Sequence, residues 1–104
     1  MPRESPPTLL YLQKEETQLG RTDPDSGVFP DIDLSRFDAG RYVSRHHATI
    51  KREGTQFYIT AYKTLNPTRV EGYAVAPDAT VPLPNGARVE FADLVCNFII
   101  RPVV

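Results

Sequence analysis

Apolar positions along this chain fall into short runs cut apart by prolines, glycines and acidic turns. With 10 prolines and 6 glycines in 104 residues, few uninterrupted windows are long enough for a helical stripe, and the longer gaps read as extended segments. "TLLYL" at Thr8 to Leu12 is short, apolar and aromatic, and "TQFYIT" at Thr55 to Thr60 follows the turn signal Glu53-Gly54. Both predict strands. Gly20-Arg21 closes another early strand. "ARVEFADLVCNFII" alternates at Val89 and Phe91, breaks near Ala92-Asp93 and resumes from Val95 to Ile100. That is a strand, a tight turn and a strand; its Val, Phe and Ile content disfavours a helix. Between the runs lie "RTDPDSGVFPD", "FDAG", "NPT", "APDAT" and "LPNG". Many short strands punctuated in this way predict an all-β sandwich or barrel with site residues on the connecting loops.

The size suits one domain. "MPRESPP", residues 1–7, is polar and proline-rich and reads as a flexible tail or linker remnant, leaving 8–104 as the folded unit. Twelve Lys and Arg against 13 Asp and Glu give a net charge of -1, so the chain has no global attraction to nucleic acid or an anionic membrane. Any anion site must be local. The single cysteine, Cys96, lies inside "LVCNFII" and reads as a buried small hydrophobe. No leader-like start or membrane-length apolar run is present in the sequence, and cytoplasmic residence is the expectation.

Residues 40–50, "GRYVSRHHATI", concentrate the candidate chemistry. Nucleophilic catalysis by Ser44 and His47 is disfavoured, because the segment reads as too extended to fold one onto the other and no glycine elbow surrounds the serine. A metal site is disfavoured too: His46 and His47 point to opposite faces of an extended run, and no third ligand is suitably spaced. No carboxylate pair points to an enzyme either. Two readings remain open. In one, the Ser44 hydroxyl, the Arg45 charge and successive backbone N–H groups form an anion cradle. In the other, Ser44 starts a strand, Arg45 lies on a solvated face and His47 is a satisfied structural histidine.

Wider spacing adds a resemblance. Gly20-Arg21 is followed by S-R-x-H-A-x-I from Ser44, N-x-T-x-V-x-G from Asn66 and L-x-x-G-x-x-V-x-F from Leu83. This order, across residues 20 to 91, resembles the forkhead-associated (FHA) family, and the resemblance covers the chain from about Thr8 to Arg101. The resemblance implies an all-β FHA-like sandwich of two twisted antiparallel sheets, with loops at one end that bind phosphothreonine in an extended peptide. It implies that Arg21 contacts the phosphate, and that Ser44 holds it through its hydroxyl and neighbouring backbone. It also implies that the Arg45 backbone N–H contributes while the Arg45 side chain touches the loop or peptide, and that Asn66 bonds the peptide main chain. Gly20, His47, Thr68 and Gly72 then support the site: Gly20 allows the turn, His47 braces the loops from inside, and Thr68 and Gly72 shape a loop.

Three positions depart from the family pattern. Leu65 stands where many relatives place a phosphate- or peptide-contacting polar residue, and leucine cannot donate. Pro67 replaces the usual glycine, fixing φ and pushing Asn66 toward an extended conformation. Glu71 replaces an asparagine and is expected to disfavour a second phosphate or an acidic peptide. The expected function is a non-enzymatic, phosphothreonine-dependent binding module in Ser/Thr kinase signalling, without cofactor or metal. Its partner would be a kinase substrate or an autophosphorylated kinase. The alternative is a degenerate FHA fold acting as a phospho-independent scaffold or oligomerisation domain.

Overall fold

A computed structural model describes residues 11–12, 14–37 and 42–100. Among the described residues nine strands form two sheets. In chain order they are β1 (Glu16–Gly20), β2 (Ile32–Asp33), β3 (Ala48–Glu53), β4 (Gln56–Ala61), β5 (Thr68–Val70), β6 (Tyr73–Ala74), β7 (Thr80–Pro82), β8 (Arg88–Phe91) and β9 (Leu94–Asn97). The first sheet runs β2-β1-β3-β4-β7 and the second β6-β5-β8-β9. All pairings are antiparallel except the short β1–β2 contact, where Leu19 faces Ile32 and Gly20 faces Asp33 in parallel register.

Period-two alternation turns one face of each sheet inward. Thr17, Ile50 and Ile59 form one cross-strand row of the first sheet, and Leu19, Ala48 and Ala61 the next. In the second sheet Val70, Val89 and Cys96 line up, as do Thr68, Phe91 and Leu94. Leu19, Ala48, Ile50 and Ile59 from one side meet Val89 and Phe91 from the other in a single buried cluster, closed by Leu34, Val43 and Leu83. Two edge-on aromatic contacts accompany it, His47 on Phe91 and Phe57 on Phe98, the latter at 5.1 Å between centroids. Cys96, expected to be buried, is only half-buried on its inner row because β9 is an edge strand, and partial burial still pushes its thiol pKa up.

Three hairpins turn over two residues. Glu71 and Gly72, both at positive φ (53° and 84°), join β5 to β6 in the mirror-image turn that matches strand twist. Ala92-Asp93 joins β8 to β9 where the sequence breaks, and the pairing ends at Asn97, three residues short of the expected Ile100. The strand expected at Thr8 to Leu12 lies mostly outside the described residues; Tyr11 and Leu12, which are described, are not in a strand. The tail assigned to residues 1–7 also lies outside them. Among the described residues, no helix is long and apolar enough to cross a membrane.

Candidate functional site

At one end of the first sheet, the loop after β1 and the loop before β3 touch through their backbones. Arg21 N–H donates to the Ser44 carbonyl (3.1 Å) and His47 N–H to the Leu19 carbonyl (3.1 Å). The approach is so close that a Cβ on Gly20 would sit 1.9 Å from the Arg45 oxygen and 3.1 Å from that of Ser44. Gly20 is not at positive φ. Its need for glycine is therefore lateral space for a neighbouring chain.

The loop after β1 is shaped by two aspartates. Asp33 Oδ1 accepts from Thr22 N–H (3.2 Å), Ser35 N–H (3.0 Å) and the Ser35 hydroxyl (2.6 Å), tying that loop to the start of the 3-10 turn Leu34–Arg36. Burial works against the Asp33 carboxylate, but these donors prevail and hold its pKa below the ordinary value. Asp23 accepts from the Ser26 hydroxyl (2.9 Å), which is the main cause of its lowered pKa, with Arg45 adding to it. The Arg45 guanidinium spans to Asp23 (3.3 Å) and Ser26 (3.0 Å), so its side chain links the two loops from outside.

His47 links them from inside. It is fully buried, and its Nδ1 accepts from the Ser44 backbone N–H at 3.1 Å. An accepting Nδ1 leaves the proton on Nε2. That Nε2–H faces the Pro67 carbonyl closely enough to oppose the pKa drop, but it misses hydrogen-bond geometry and so counts as unsatisfied. The carbonyl is held instead by Ala92 N–H at 3.2 Å. Burial is the larger influence and drives the His47 pKa below 6.5. The segment is not too extended to bring residues 44 and 47 together: it bends back, though it is the serine amide, not the hydroxyl, that meets the imidazole. His46 and His47 do separate, one exposed and one buried.

Arg21, Tyr42, Val43, Ser44, Leu65 and Asn66 line an open cleft of about 310 Å³. Arg21 Nε donates to the Val43 carbonyl (3.2 Å), orienting the guanidinium, while its two Nη groups have no partner among the described residues. The same is true of the Ser44 hydroxyl and the Arg45 backbone N–H. Asn66 Nδ2 donates to the Tyr42 carbonyl (3.4 Å), and the Thr64 hydroxyl donates to the Asn66 carbonyl (2.6 Å), so the loop before β5 is pinned to its neighbour. Arg21, Ser44 and Asn66 are thus brought together. The Arg45 side chain, turned toward Asp23, is not a lining group.

The expected supports separate. Thr68 is buried at the start of β5, with its hydroxyl unpartnered and its carbonyl accepting from Val75 N–H. Gly72 lies in the turn at the far end of β5, away from Asn66, and shapes the β5–β6 hairpin rather than a loop of the cleft. Glu71, expected to repel a second phosphate, is there too; its carboxylate is occupied by Arg88 N–H at 2.8 Å. Sequence reading passed over Asp33, Asp23 and Tyr42. The Asp33-Leu-Ser35 pattern of a capped turn was a usable signal for the first, and Asp23-Pro24 at the start of a turn for the second; nothing local marks Tyr42.

A family model for the FHA domain matches residues 17–92. Comparison with curated proteins gave no match. Among solved structures, the chain is similar to an FHA domain studied for phosphothreonine-dependent interactions, at 20% identity and a TM-score of 0.69, covering 88% of this chain and 83% of that one. It is also similar to the FHA domain of the CT664 protein from Chlamydia trachomatis, at 21% identity and a TM-score of 0.70, over 89% and 84% of the two chains. The third is Mycobacterium tuberculosis EmbR in complex with a low-affinity phosphopeptide, at 28% identity and a TM-score of 0.70, covering 89% of this chain but 22% of EmbR.

Proposed function

Since the chain belongs to the FHA-domain family, we propose that its loop end is a phosphothreonine-dependent peptide-binding site and that the domain acts by binding, without a catalytic step. The observation that carries this is the cleft itself: the Arg21 Nη groups and the Ser44 hydroxyl line one wall with no partner among the described residues. A phosphothreonine brings close to two negative charges and several strong acceptor oxygens. An oriented guanidinium, a hydroxyl and the Arg45 N–H supply complementary donors, and charge-assisted bonds of this kind are the stronger ones. Each contributes about 1.5–3 kcal/mol. Ordering the peptide offsets much of that, so affinity of about 1 μM, roughly 8 kcal/mol, is expected.

The bond from Asn66 to the Tyr42 carbonyl, which holds Asn66 at the cleft before any ligand arrives, supports a role for it in meeting the peptide main chain. Partners would be threonine-phosphorylated proteins, substrates or autophosphorylated forms of a Ser/Thr kinase, met in the cytoplasm. Fluorescence anisotropy with a threonine-phosphorylated peptide library and its unphosphorylated counterpart tests the reading. Binding only of the phosphorylated pool is expected; equal binding of both would end it.

A further inference from the structure

The lining of the cleft includes an aliphatic side chain that is almost wholly exposed. Leu65 is 93% exposed, the most exposed large hydrophobic side chain among the described residues, and it lines the same cleft as Arg21 and Ser44. The Tyr42 side chain, 54% exposed, stands in that lining too. A leucine held almost wholly in water gains nothing for the folded domain. It is also not free to turn aside: the Thr64 hydroxyl bond to the Asn66 carbonyl and the Asn66 bond to the Tyr42 carbonyl fix the backbone on either side of it. Pro67 stiffens the next position.

We infer that Leu65 reads the peptide, by packing against an apolar side chain that flanks the phosphothreonine. The inference rests on the phosphothreonine reading above. The occupant follows from continuity: a dianion at Arg21 and Ser44 lays the adjoining peptide residues along the remaining lining of Tyr42, Val43, Leu65 and Asn66, where Leu65 is the exposed aliphatic side chain. Reach limits which residues can take part. Leu65 shares one cleft lining with Arg21 and Ser44, and an extended chain advances about 3.3 Å per residue, so the phosphothreonine and its nearest neighbours are the residues that pass over it. The contacted side chain is therefore within two positions of the phosphothreonine. Where a hydroxyl at position 65 would add a donor to the phosphate, leucine exchanges that donor for selection by hydrophobic burial. Acidic or glycine-flanked phosphothreonines are then the poorer ligands.

The test is anisotropy titration of the whole chain with phosphothreonine peptides that differ by one substitution, isoleucine against serine, at each position from two before to two after the phosphothreonine. Isoleucine at one of these positions is expected to tighten binding by about five- to tenfold, the effect of partly burying one aliphatic side chain. In Leu65→Ser the isoleucine-to-serine ratio falls to near one, and Leu65→Met restores it. Phosphate-dependent binding with no isoleucine preference would overturn the inference while leaving the phosphothreonine reading standing. So would a preference that survives Leu65→Ser. Failure of every phosphopeptide to bind better than its unphosphorylated form would remove both.

Discussion

Replacing Gly20 with alanine adds one methyl group at the point where the two loops of the cleft touch. Its Cβ would lie 1.9 Å from the Arg45 carbonyl oxygen and 2.8 Å from the carbonyl carbon, where ordinary contact begins near 3.4 Å. The obstacle is backbone, so one chain must shift by about 1.5 Å or the Cα must tilt. Either movement stretches the Arg21 N–H to Ser44 and His47 N–H to Leu19 bonds, both 3.1 Å, each contributing about 0.5–1.5 kcal/mol. Overpacking of this kind costs about 1–3 kcal/mol. Because Gly20 is not at positive φ, alanine also stiffens the unfolded chain and offsets about 0.4–1 kcal/mol of that loss. The net expectation is about 1–2 kcal/mol of destabilisation, a fall in melting temperature of roughly 4–15 °C by calorimetry or circular dichroism. Phosphopeptide affinity should fall by about tenfold or more, because Arg21 and Ser44 no longer keep their spacing around one phosphate. Gly54→Ala is the control: it introduces strain at φ 64° but meets nothing within 4 Å, in a hairpin remote from the cleft. It should lose stability and keep affinity. A Gly20→Ala protein with wild-type melting temperature and wild-type affinity would refute the close approach and the reasoning built on it.

Arg21→Ala should lower phosphopeptide affinity by about tenfold or more in the anisotropy assay, and Arg21→Lys should recover only part of it because the forked donor geometry is gone. Arg45→Ala should cost less affinity than Arg21→Ala and about 0–1 kcal/mol of stability, since its side chain contributes exposed contacts with Asp23 and Ser26; the reverse ranking would put the phosphate elsewhere. His47→Ala should destabilise by about 2–5 kcal/mol in urea titration, through the cavity left and the Ser44 amide orphaned. Stability should also depend on His47 through pH. Burial keeps its imidazole neutral below the ordinary 6.5, so beneath that value the unfolded chain binds the proton first and stability falls as pH falls. The lowered carboxyl pKa values of Asp23 and Asp33 act only at lower pH, below the ordinary 3.8. Urea midpoints that stay level from pH 7.5 to 5 would contradict the histidine's buried, neutral state.

Period-two alternation and turn chemistry settled much of this protein before any coordinate was known. Val89 and Phe91 turn inward, Ala92-Asp93 reverses the chain, and Gln56 to Ala61 is a strand because β-branched and aromatic residues alternate there beside a glycine turn. These are local preferences, decided by neighbours within a few residues. Arg21, Ser44 and Asn66 are nominated as partners by the resemblance to the FHA family that the order of their motifs carries. What the linear order does not contain is which segments come to lie against one another. The parallel β1–β2 pairing, the Arg45 side chain drawn away to Asp23, and Gly72 at the far end of β5 all depend on contacts between distant segments. So does the identity of the chain that Gly20 clears, because the obstructing carbonyl belongs to a residue 25 positions away. Such contacts are selected by collective burial of the core and by satisfaction of backbone donors, which no single stretch of sequence encodes alone.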